Sequence, residues 1–182
     1  MSTLKSLAES IKGYKNQNVI VRFSELYGVD LSESEQIFED MKLWLVLAKV
    51  AKIENSNKPF VIDNALLVID EMWHNFILFT KDYSAFCDNY FGHYLHHNPT
   101  SVEENNRQKE VFSNMSIEER QSYMMEKLRW QYEFTMVKLG KDIFIRWYQY
   151  YPNKFTKESL AKLSYESTKK KSEFEDKVKK VA

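Results

Sequence analysis

The chain has little cysteine, proline or glycine: one, three and four residues in 182. A single cysteine rules out an internal disulfide and fits a reducing, cytoplasmic setting. So few glycines and prolines argue against a sheet protein, which needs a tight turn every ten residues or so, and favour long helices. Long apolar runs are also missing. LWLVLA (43–48) and MWHNFILFT (72–80) fall well short of the roughly 20 residues that span a bilayer. The opening MSTLKSLAESIKGYK has no signal-peptide core. A soluble protein with no transmembrane segment is expected. Lys and Arg together number 26, as do Asp and Glu, so the basic bias of many nucleic-acid binders is absent. There is no G-x-S-x-G, no Gly-rich phosphate loop, no HExxH, no CxxC and no internal repeat.

Apolar and aromatic residues are plentiful. At 43% hydrophobic, with 12 Phe, 11 Tyr and 4 Trp, the chain can bury a core. Leu4, Leu7, Ala8 and Ile11 make an amphipathic helix over 3–15, stopped near Gly13. Residues 18–27 (NVIVRFSELY) read as helix or as extended linker. Ser32 and Glu35 have capping-box spacing for a helix over 33–54. Asn55–Pro59 is a polar turn before a central helix near 61–79 that is apolar almost all round. Thr80 is placed to cap a helix over 81–91, which Gly92 is suited to end in the left-handed conformation. His93–Thr100 is then a loop. Ser101/Glu104 and Ser116/Glu119 fit capping boxes for helices over 102–113 and 117–138. Gly140 breaks the second, and 141–151 is a short aromatic helix ending before Pro152. Thr156 starts a last, charged helix. The expectation is an all-α, single-domain bundle of about six to eight helices, with a core over 1–155 and a C-terminal charged helix over 156–182.

The stretch DEMWHNFILFTKDYSAFCDNYFGHYLHHNP, residues 70–99, holds all four histidines and the cysteine. Asp70 and His74 are four apart, so on a helix they sit about 40° apart on one face, within reach of each other. Burying such groups without partners costs several kcal/mol by order of magnitude, so they must be paired, hydrated or bound to something. A hydrogen-bonded tether is one solution. The other is a metal site in which a loop histidine from His93, His96 and His97 joins the pair, an O/N/N set that suits one divalent transition metal, zinc or non-haem iron. Tyr83, Phe86, Cys87, Tyr90 and Phe91 form a core-facing stripe, in which Cys87 reads as a small buried hydrophobe. A Cys/His acyl-transfer centre would need His74 or His97 to reach the sulfur and an oxyanion donor, for which the sequence shows no motif.

The run Asp70, Trp73-His74, Thr80, Tyr83, Phe86-Cys87, Phe91-Gly92, Leu95 and His97 resembles the glycine-rich domain-containing protein-like family, in its small stand-alone bacterial form. That family carries D-x-x-W-H, then a tyrosine, a cysteine, a glycine and a late histidine at these intervals. The larger plant members often have a second histidine two after the first, where this chain has Phe76, so a WHxH ligand pair is absent. The resemblance covers about 30 residues and implies a shared motif, not an activity. It places Asp70, His74, Cys87 and His97 within the motif, leaves His93 and His96 less secure, and allows Trp73 and Tyr83 to be packing residues.

WYQYYP (147–152) with Arg146 and Lys154 has the makings of a base-stacking platform, but such clusters more often pack against neighbouring helices. The basic residues Lys169–Lys171, Lys177, Lys179 and Lys180 are interrupted by Glu173, Glu175 and Asp176 and read as a solvated face. Two functions are therefore expected as rivals. One is a metal-binding protein using Asp70, His74 and His97, with catalysis left open. The other is a non-catalytic module for a protein partner, in which the same residues form a structural hydrogen-bond network.

Overall fold

The computed structural model describes residues 3–55, 58 and 60–179. Among these the regular elements are all helical, and eight helices have ten residues or more. Ser56, Asn57 and Pro59 of the expected polar turn lie outside the described residues, as do Lys180 and the side chains of Lys177 and Lys179.

The N-terminal half builds the core. Helix α1 is Thr3–Lys12, α2 is Gln17–Tyr27 and α3 is Leu31–Glu54. The 17–27 segment is helical despite its β-branched residues. Asn16 caps it by accepting from the Val19 amide, and Val19, Ile20, Phe23 and Tyr27 fall on one buried face. Gly28 ends it at φ 61°. Helix α3 starts two residues earlier than its Ser32/Glu35 signature suggests. Asp30 is the N-cap residue, and its carbonyl rather than a side chain receives the Ser34 amide, so Ser32 is inside the helix. Helix α3 packs against α1, α2 and the next long helix, and buries Ile37, Phe38, Met41, Leu45, Val46, Leu47 and Val50. Lys42 is buried with them. Its ammonium donates to the Ile11 and Tyr14 carbonyls at 3.2 and 2.6 Å, closing the end of α1, and pairs with Glu39 at 2.8 Å.

The central apolar helix is shorter than 61–79. A 3-10 turn, Asn64–Leu66, leads into α4, Leu67–Ile77. The Val61 backbone is not free to enter a helix. Its N–H donates to Gln131 Oε1 at 3.0 Å and its carbonyl accepts from Gln131 Nε2 at 2.9 Å. Helix α5, Thr80–Phe91, begins at Thr80 itself with Phe79 as N-cap residue, so no side chain caps it. It ends at Gly92 with φ 74°, where both Asp88 and Cys87 carbonyls accept from the Gly92 amide.

Helices α6, Val102–Ser113, and α7, Ile117–Leu139, both open with complete capping boxes. No side chain of α6 is buried, and α7 buries only Leu128, Gln131 and Thr135, toward its C-terminal half. Past Gly140 the chain runs as α8, Lys141–Ile145, a π-helical turn over Arg146–Tyr150, and α9, Tyr151–Lys154. The aromatic helix therefore does not stop before Pro152. The wider turn, with the Tyr151 amide on the Arg146 carbonyl, places Pro152 at the start of the next helical piece, where a missing N–H costs little. Helix α10, Lys157–Lys179, lies along α2 through Leu160 and a bond from the Ser167 hydroxyl to the Glu25 carbonyl.

Candidate functional site

Helix α4 has two unlike faces. Val68, Ile69, Met72, Trp73, Asn75 and Phe76 are buried, and Asp70, Glu71 and His74 lie on the other side. Asp70 and His74 are one turn apart there, with His74 Nδ1 3.9 Å from Asp70 Oδ2. That is too long for a hydrogen bond and close enough for a shared ligand.

The loop after α5 brings the third member. His97 Nε2 lies 2.8 Å from Asp70 Oδ1, and since a carboxylate only accepts, Nε2 carries the proton in this pair. His97 packs on Trp73 with ring centres 4.3 Å apart and on His74 at 4.4 Å. The loop is held in place two residues earlier. Trp73 Nε1 donates to the Tyr83 hydroxyl at 2.9 Å, and that hydroxyl donates to the Leu95 carbonyl at 2.6 Å. Cys87 is fully buried close to this brace, near the Leu95 backbone and Tyr83. Burial first of all pushes both the Tyr83 phenol and the Cys87 thiol above their ordinary values. Trp73 and Tyr83 thus fix the stretch of loop that presents His97.

One ligand atom from each of Asp70, His74 and His97 fits within 4.8 Å of the others. Metal–ligand bonds of about 2.0–2.2 Å place neighbouring ligand atoms about 3–3.5 Å apart. The Asp70–His97 pair, at 2.8 Å, sits slightly inside this spacing, and His74, within 4.8 Å of both, needs to close by roughly 1–2 Å. Its side chain is 48% exposed and has room to turn, whereas Asp70 and His97 are held at 20% and 17%. The donor set, one carboxylate oxygen and two imidazole nitrogens on one open side, fits zinc or non-haem iron with positions left for water.

A family model with the description UCP032817-like matches residues 9–127, well over half of the chain. The chain belongs to the UCP032817-like family. The span shared with that family takes in the Asp70/His74/His97 cluster, the Trp73–Tyr83 brace and Cys87, and it ends inside α7. No curated protein and no solved structure matches the chain.

The remaining sequence candidates stay apart from the cluster. His93 Nδ1 donates to the Phe91 carbonyl at 3.0 Å, and His96 stacks by Tyr94, ring centres 5.0 Å apart. Cys87 is fully buried with a raised thiol, which disfavours the thiolate a nucleophile requires. The aromatic cluster at 147–152 is spent on packing: Trp147 and Tyr151 are buried. Arg146 makes a two-pronged pair with Asp40, at 2.6 and 2.7 Å, and the Tyr151 hydroxyl donates to the same carboxylate at 2.5 Å. Lys154 is paired with Glu33 at 2.6 Å. The cations of the would-be base-stacking platform are thus engaged within the fold. Sequence reading missed this Asp40 network. The only signal was a lone acidic residue within a mostly apolar helical face, with its partner 106 residues away.

Proposed function

We propose that the protein binds one divalent transition metal, zinc or iron, through Asp70, His74 and His97. What carries this reading is the convergence of three ligand-type side chains from a helix face and a distant loop, on a half-open surface, with separate residues committed to holding the loop. The resemblance of residues 70–97 to the glycine-rich domain-containing protein-like family supports it, because the motif residues in that resemblance are the cluster and its brace. Imidazole ligands must be free of their proton to bind a metal, so affinity would fall as pH is lowered. Asp70, His74 and His97 would hold the metal, which would supply Lewis-acid activation of water or oxygen, and Trp73 covers one side of the His97 ring. The test is thermal unfolding of chelator-treated protein with zinc or ferrous iron added back. At free metal about 100 times Kd, stability rises by about 2.7 kcal/mol. The same metal gives no shift in His74→Ala and His97→Ala. Absence of any shift in the wild type contradicts the reading.

One observation favours the rival reading of a structural tether within a protein-interaction module: His97 Nε2 and Asp70 Oδ1 are joined by a direct hydrogen bond of 2.8 Å. That reading predicts a loss of about 1–3 kcal/mol in His97→Ala that is the same with and without metal.

A further inference from the structure

A cleft of about 910 Å³ lies between the first turns of α10 and the surface made by α2, α4 and α9. Its size is within the range of small-molecule sites, about 300–1,000 Å³. Ala65, Leu67, Pro152 and Leu160 give it apolar walls, and the rings of Tyr27 and Tyr148 stand among them. Beside the exposed Glu158, the half-buried carboxylate of this lining is Glu71. Its Oε2 accepts from the Tyr27 hydroxyl at 2.7 Å, and burial together with Glu71 raises the Tyr27 phenol. Among the described residues no lysine or arginine side chain lies within ion-pair distance of Glu71.

We infer that this cleft binds a small organic cation, a protonated amine on an apolar body, with Glu71 as the anionic partner. The charges around the cleft support a cation over an anion. Of the residues lining it, Glu71 and Glu158 outnumber Lys157, and Arg22 lies outside the lining near Tyr27. Arg22 is engaged elsewhere, donating to Asn75 Oδ1. The aromatic rings add attraction for an ammonium group, and a neutral apolar ligand would cover the Glu71 charge without pairing it. Leu67 and Glu71 occupy a stripe of α4 next to that of Asp70 and His74, and the site needs no metal.

The test uses 2-phenylethylamine, protonated near pH 7, beside 2-phenylethanol and 3-phenylpropionate, with the full chain and a chelator present. Binding is followed by calorimetry and by methyl and amide NMR shifts. Saturable binding of the amine alone is expected, with shifts at Ala65, Leu67 and Leu160. Glu71→Gln weakens it by about tenfold or more. Ala161→Phe, which fills the cleft and leaves Glu71 in place, abolishes it, so the test survives if Glu71→Gln does not fold. The inference is overturned by no saturation at about 10 mM amine. It is also overturned by equal binding of the alcohol or the acid, by unchanged binding in the folded variants, or by shifts confined to another surface.

Discussion

At the scale of single residues, the Tyr83 hydroxyl links the core to the loop that carries His97. In Tyr83→Phe the Trp73 indole N–H loses its partner in a buried place and the Leu95 carbonyl loses its own in a half-buried one. Denaturant unfolding should show a loss of about 1–3 kcal/mol, and metal affinity should fall although no ligand has changed. Asp40 is 1% exposed and answers both Arg146 and Tyr151. Asp40→Asn should cost about 3–5 kcal/mol in the same assay, because the guanidinium is left half-buried without its counter-charge. These residues also mark the limit of what the sequence discloses. Asp70 and His74 are legible from their four-residue spacing, and His97 as one of three histidines in the loop that follows. The bond that positions His97 ends on a backbone carbonyl, which carries no residue type. The Asp40–Arg146 pair joins positions that no local pattern connects.

At the scale of elements, local chemistry was a good guide where the chain is exposed and a poorer one where packing decides. Ser101/Glu104 and Ser116/Glu119 form the expected reciprocal caps, since nothing competes for those side chains at the surface. Ser32/Glu35 has the same spacing and makes no cap, because the tight exit from α2 at Gly28 lets the helix begin at Leu31. The start of α4 is delayed by Gln131, a residue of α7, and the end of the 141–151 helix is extended by a π turn. Neither is a local property. Helix α6 has no buried side chain and depends on its own termini. Ser101→Ala should cost about 1 kcal/mol, seen as faster amide hydrogen exchange confined to α6, with the exchange of α3 and α4 unchanged.

At the scale of the whole molecule, the scarcity of glycine and proline did point to an all-α bundle. The abundance of aromatics leaves its own mark on stability. Burial raises the phenols of Tyr27, Tyr83 and Tyr151, which are buried in three different parts of the fold. Above about pH 10 the unfolded chain loses these protons while the folded chain retains them. Fewer protons on the unfolded state mean that stability falls with rising pH, by about 1.4 kcal/mol per pH unit for each such phenol. Buried Lys42, lowered by desolvation, works in the opposite sense. Its penalty eases as pH climbs from its folded value towards 10.5, where the unfolded lysine titrates. Three phenols outweigh one lysine, so alkaline unfolding is expected above about pH 10. Tyrosinate absorbance should rise in step with the loss of helical circular dichroism; full tyrosine ionisation with helicity intact would refute this.

The central claim is that Asp70, His74 and His97 hold a metal. The most direct measurement is elemental analysis of untagged protein by mass spectrometry, as purified and after zinc or ferrous iron is added and excess removed, beside His74→Ala and His97→Ala. Close to one metal per chain in the wild type, lost in both variants while their helicity is retained, is the predicted result. A folded wild type that stays metal-free after addition, or variants that retain the same metal content, would contradict it.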